Sequence, residues 1–224
     1  MKTIKYLILL LCLSLCYPGI KAQTLFTEIY PHYKIPITYE VLNVKEFSNK
    51  YQGSILDYTY TSFDGSSVQV KSYKRGGEIE VFERPAFPGI HMVYKEFYGN
   101  GKLKQKGVTL PNQCKIGYWL TYDESGNGWV TDYENGRTPV GYNQVLEYLA
   151  NLGYYNYNPS QSAHSWSCAF WFSPGSFSWG VRVNRDGHQY KMYTFDCRGQ
   201  LDVIIQDLIP ALNPVPPVEP SYGY

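Results

Sequence analysis

Between Ile55 and Gly136 the chain is a succession of short runs of alternating character, each closed by a turn that carries glycine. A period of two puts one set of side chains on each face of a strand, and a helix cannot use it. Ile55 to Thr61, Val68 to Tyr73 and Glu78 to Phe82 are such runs, separated by Asp64-Gly65 and Arg75-Gly76-Gly77. Val93 to Tyr98 follows, then the tight-turn dipeptide Asn100-Gly101, with Lys102 to Gly107 leading away. Gly117 to Tyr122 and Trp129 to Tyr133 complete the series, which Asn135-Gly136 closes. Runs this short, joined by turns this tight, predict an antiparallel meander. Tyrosine supports that reading, with 23 in the chain. Its ring favours strands and can lie half buried while its hydroxyl stays wet.

Pro85 and Pro88 suggest a boundary within the β region, giving an N-terminal meander over 23–87 and a second set of hairpins over 88–138. Ahead of the meander, Gln23 to Tyr39 reads as extended chain. Val41, Val44 and Phe47 suggest a short helix over Glu40 to Lys50. Beyond residue 138 the period changes. Val145, Leu149 and Leu152 lie at i, i+4 and i+7, with Thr138 as N-cap, Pro139 in the first turn and Gly153 as the stop, predicting a helix over about 140–152. Tyr154 to His164 is a polar loop. Trp166 to Phe172, Phe177 to Asn184, His188 to Phe195 and Gln200 to Ile205 read as strands, so 139–209 is a small helix-plus-antiparallel-sheet unit. The proline-rich tail, 210–224, is expected to be extended. The fold class is therefore β-rich α+β: a meander of β-hairpins followed by the small α+β unit.

Part of the meander resembles the MORN-like repeat family, which includes bacterial YwqK-type antitoxins. The matching residues are Tyr94, Phe97 and Tyr98, then Asn100-Gly101-Lys102-Leu103 and Lys106-Gly107. After a spacer come Gly117, Trp119, Tyr122, Asp123-Glu124 and Gly126. The resemblance covers about 93–136 and implies hairpins stacked into an elongated curved sheet. It also implies an antitoxin or immunity role in which the sheet binds a toxin. The chain departs from the family in its spacer, which carries Pro111 and Cys114, and in Asn127 to Gly136, which lacks the usual Gly-x-Leu. The turn Asp196-Cys197-Arg198-Gly199 makes the C-terminal unit similar to PepSY-type modules.

The first 22 residues read as a cleavable export signal. Lys2 and Lys5 precede an apolar core from Tyr6 to Cys16. Pro18-Gly19 then break any helix, and the small Ala22 stands where cleavage is expected. The core is too short to cross a bilayer, which takes about 20 apolar residues. Of the 20 Lys and Arg, three lie in this segment, leaving 17 against 19 acids, a net charge of −2. That balance argues against nucleic acid as a partner. No membrane span is expected after cleavage. The expected location is the periplasm, the cell surface or the medium. Cys12 and Cys16 leave with the signal. Of Cys114, Cys168 and Cys197, the last two lie in strand-like segments of one region and are the expected disulfide pair.

No catalytic site, metal site or cofactor is expected. No two of His32, His91, His164 and His188 form a close pair. Cys168 follows His164 by four residues but lies in a strand, away from any helix N-terminus that would lower its pKa. No phosphate-binding glycine loop opens a helix. What remains is aromatic. Tyr98, Trp119, Tyr122, Trp171 and Trp179 are the candidate binding residues, although packing between hairpins is the simpler role for Tyr98, Trp119 and Tyr122. Both faces of Trp166 to Phe172 are apolar, so a second layer is expected over that strand; the alternative is an exposed aromatic face that binds a ligand. The expected function is an exported non-enzymatic binding or scaffold protein that presents its sheet to a protein or cell-envelope partner. The alternatives are an extracellular hydrolase acting on a polymer such as a glycan, and an inhibitory module built on the α+β unit.

Overall fold

The computed structural model describes residues 24–86, 89–137, 140–154, 166–185, 188–196 and 202–207. Strands β1 (Leu25–Ile29) and β2 (Tyr33–Ile37) form an antiparallel hairpin. Seven strands then follow in one sheet: β3 (Leu56–Thr61), β4 (Ser67–Ser72), β5 (Ile79–Arg84), β6 (Met92–Phe97), β7 (Leu103–Leu110), β8 (Cys114–Tyr122) and β9 (Gly128–Asp132). Each pairs antiparallel with the next, so sheet order equals chain order. Helix α1 (Tyr142–Asn151) leads to a four-stranded antiparallel sheet of β10 (Trp166–Ser173), β11 (Ser178–Arg185), β12 (His188–Asp196) and β13 (Asp202–Asp207). The β-rich α+β class read from the sequence is the class observed.

The register assigns two faces to the meander. Leu56, Val68, Val70, Ile79, Val81, Phe97 and Leu103 share the inner face and form one apolar cluster with Phe47. Val108, Leu110, Ile116 and Leu120 continue that face into a second cluster. There they meet Ile29 and Ile37 of the β1–β2 hairpin, Val145, Leu146 and Leu149 of α1, and Phe170, Trp179 and Val181 of the second sheet. Helix and small sheet therefore back the later half of the meander. Between the two clusters, Val81, Lys95, Lys106 and Leu120 lie in register across four strands. The two lysines in that row are held by acids: Lys95 Nζ lies 2.9 Å from Glu83 and 3.3 Å from Glu40, and Lys106 Nζ lies 3.1 Å from Glu40.

Several boundaries differ from expectation. The meander does not divide at Pro85, because β5 pairs with β6 from Ile79↔Phe97 to Glu83↔Val93. Pro85 sits in the connection, where a missing N–H breaks no ladder. The expected helix over Glu40 to Lys50 shrinks to one 3-10 turn, Val44–Phe47. The backbone ahead of it is committed elsewhere, since Leu42 N–H donates to Gly101 O at 2.9 Å and Val41 bridges Lys102. Helix α1 starts at Tyr142 with Gly141 as its N-cap, and Gln144 Oε1 accepts the Gly141 N–H at 2.6 Å. Thr138 and Pro139 lie outside the described residues. Tyr142, Val145, Leu146 and Leu149 form the buried stripe of α1, and Leu152 is exposed.

The extended N-terminal stretch became a packed hairpin because β8 has a place for it. Gly117 has φ +59°, and a Cβ there would fall 2.4 Å from Thr27. Only glycine lets the strand bend and admit Thr27, whose Oγ1 accepts the Tyr118 N–H at 3.1 Å. Among the described residues, no helix is long and apolar enough to cross a membrane.

Candidate functional site

Alternation that sends valines and leucines inward sends a different set outward. Lys71, Glu80, Phe82, Met92, Tyr94, Gln105, Thr109, Lys115 and Trp119 share the opposite face of the meander. Neither apolar cluster includes any of them. Two adjoining hollows open on this face, of about 460 Å³ and 710 Å³, and they share Lys71, Phe82, Met92 and Gln113. Together they form one groove.

An aromatic row crosses it. Phe82 and Tyr94 meet edge to face at 5.4 Å, Tyr94 and Trp119 stack at 6.0 Å, and Trp119 meets Tyr133 edge-on at 5.9 Å. Trp119 is the floor of this row. It is 2% exposed, and its Nε1–H is shared between the carbonyls of Val108 and Ile116, both at 3.2 Å. Its indole fills the space over Gly107, where a Cβ would fall 2.1 Å from the ring. The accessible aromatic surface is that of half-buried Phe82 and Tyr94, with exposed Tyr73 at the rim.

Polar groups surround the row. Tyr94 OH donates to Glu80 Oε1 at 2.8 Å, and burial followed by that carboxylate raises the phenol well above its ordinary range. Lys115 Nζ sits 4.1 Å from the Trp119 ring and has no carboxylate partner among the described residues. Lys71 Nζ lies 5.8 Å from the Phe82 ring and 4.0 Å from Asp57. Arg84 adds a third cation at the far end of the groove. Thr109 and His91 are 3% exposed at the edge of the groove, and Thr109 Oγ1 and His91 Nε2 are buried atoms with no hydrogen-bond partner among the described residues. Desolvation lowers the His91 pKa to about 4, so this imidazole is neutral at pH 7.

Of the five residues singled out in the sequence, only Trp119 lines the groove. Tyr98 OH donates to Tyr122 O at 2.8 Å, and the Tyr122 ring packs edge-on to Tyr39 at 5.1 Å. That pair fastens the β6–β7 turn to β8. Trp179 is a core side chain, 0% exposed, with its Nε1–H donated to Val140 O at 3.2 Å. This burial removes it from any binding surface. Trp171 lies on the other face of the small sheet, over Gly180, where a Cβ would fall 2.1 Å from its ring. The expected second layer covers the Phe170 face, through α1 and the meander. Of the residues missed, Lys71, Phe82 and Tyr94 were detectable by strand parity, since each falls on the non-valine face of its run; Thr109 and Lys115 lie beyond the runs that the sequence marks.

Cys114 and Cys168 are free thiols, and burial pushes them up to about 11 and about 12, far from a nucleophile's range. Cys197, the expected partner of Cys168, lies outside the described residues. No group of three or more His, Cys, Asp or Glu side chains among the described residues is placed to hold a metal ion. Glu80 is the one carboxylate lining the groove among the described residues. No family model, curated protein or solved structure matches the chain.

Proposed function

We propose that the protein is an exported, non-catalytic binding protein whose recognition surface is the groove on the open face of the seven-stranded meander. The observation that carries this reading is an open sheet face, outside both apolar clusters, on which half-buried Phe82 and Tyr94 lie among the cations Lys71, Lys115 and Arg84. Aromatic surface beside charged groups in a concave site is the composition of a recognition surface. Export rests on the signal-like first 22 residues, and it directs the search for a partner to the cell envelope.

A polymer hydrolase is less well supported. Glycoside hydrolysis generally uses two carboxylates flanking the scissile bond. Glu80 has no such companion in the groove among the described residues and is engaged by Tyr94. The test is retention on isolated envelope material. The wild-type protein is expected to be retained, and Tyr94→Ala and Lys115→Ala to reduce retention. Thr59→Ala, on the exposed edge strand β3, is expected to leave it unchanged. Equal retention of all three variants contradicts the assignment of the groove.

A further inference from the structure

We infer that the groove takes an acidic saccharide, a short run of sugar rings bearing carboxylates. This rests on the reading of the groove as the recognition surface and names the chemistry of its ligand. First, the groove lies on a sheet face whose backbone groups are already paired in the ladder. Peptides add to sheets through free strand edges. Strand addition is therefore closed to a ligand here, and side chains read it, as they read hydroxyl-rich sugars.

Second, the groove sets aromatic surface beside polar groups. Phe82 and Tyr94, both half-buried, present the accessible rings 5.4 Å apart, and buried Trp119 stacks on Tyr94 at 6.0 Å and holds it in place. The C–H face of a pyranose stacks on such a ring. The hydroxyls around its rim would meet exposed Gln113.

Third, the charge is one-sided. Lys71, Lys115 and Arg84 line the groove against the single carboxylate of Glu80. Glu80 already accepts from Tyr94. Lys115 and Arg84 have no carboxylate partner among the described residues, and Lys71 has only Asp57 at 4.0 Å. A neutral sugar leaves these cations without counter-charge. A uronic-acid chain supplies it along the same line as the rings.

The experiment is calorimetric titration of the whole exported protein with tetrasaccharides of galacturonate, mannuronate and hyaluronan. Cellotetraose and maltotetraose serve as neutral counterparts and oligoglutamate as a plain polyanion. At least one acidic tetrasaccharide is expected to bind about tenfold or more tighter than the neutral ones. Lys115→Ala and Lys71→Ala, with unchanged near-ultraviolet dichroism, are each expected to weaken it by about tenfold, the loss of one charge-assisted hydrogen bond. Tyr94→Ala is expected to weaken acidic and neutral sugars alike. Equal binding of acidic and neutral sugars overturns the acidic assignment, and equal binding of oligoglutamate overturns the saccharide assignment. No binding of any sugar, with envelope retention still lost in Tyr94→Ala and Lys115→Ala, overturns this inference and leaves the groove as the recognition surface. No sugar binding, with envelope retention unchanged in both variants, removes the groove reading itself.

Discussion

The indole of Trp119 occupies the space that a side chain on Gly107 would need. A Cβ at 107 would lie 2.1 Å from one ring carbon and 2.2 Å from the next. Gly107 stands opposite Tyr94 in the ladder, so the glycine lets an aromatic from the following strand complete the row from Phe82 to Tyr133. Gly107→Ala should therefore force the buried indole out of place, at a cost of about 1–3 kcal/mol. A loss of roughly 2–4 °C in melting temperature per kcal/mol is expected for a chain of this size. Gly180→Ala meets Trp171 at the same distance, but Trp171 is partly exposed and can swing aside. Thermal melts should show the smaller loss for Gly180→Ala.

Glu40 holds two lysines of the inner face, Lys95 and Lys106. The Lys106 side chain is 7% exposed and has no second acid among the described ion pairs. Glu40→Ala leaves a buried charge unpaired and should cost about 2 kcal/mol, less than a fully buried pair because Glu40 is one-third exposed. Lys106→Met removes the charge but keeps the packing stem, and should cost less. Urea unfolding of the two variants and of the double variant measures the coupling.

His91 links stability to pH. Its folded pKa, about 4, lies below the unfolded value of 6.5, because burial disfavours the charged imidazolium. The unfolded chain binds this proton first as pH falls. The contribution is complete above pH 6.5 and is lost as pH falls towards 4, roughly 3 kcal/mol over the whole window. His91→Gln should flatten the stability profile between pH 6.5 and 5, where few carboxylates titrate. An unchanged slope in that variant would assign the loss to other groups.

Cys114 and Cys168 should resist alkylation at pH 8 in the native protein and react fully in denaturant, since burial holds both thiols protonated.

The meander was legible because its turns carry glycine and its runs alternate, and both signals are local. The β7–β8 turn was not, because it uses Asn112 and Gln113 at φ +66° and +55° where Asn-Gly would be recognised. The β1–β2 hairpin was missed for another reason. Its place depends on the bend at Gly117, about 90 residues away in the chain. The groove follows from parity once the strands are aligned, yet single aromatic residues pointed elsewhere. Trp179 and Trp171 belong to the small sheet, one buried in the core and one laid on a glycine. Which tryptophan is core and which is surface depends on what packs above each face.

Photo-crosslinking reports which face of the protein the partner touches. A benzophenone side chain at Gln113, exposed in the groove wall, is compared with one at Glu147 on the exposed face of α1. On envelope material from the producing cells, the Gln113 probe should form a crosslinked product that Lys115→Ala abolishes, and the Glu147 probe should form none. Crosslinking from Glu147 alone, or from Gln113 undiminished by Lys115→Ala, would place recognition outside the groove.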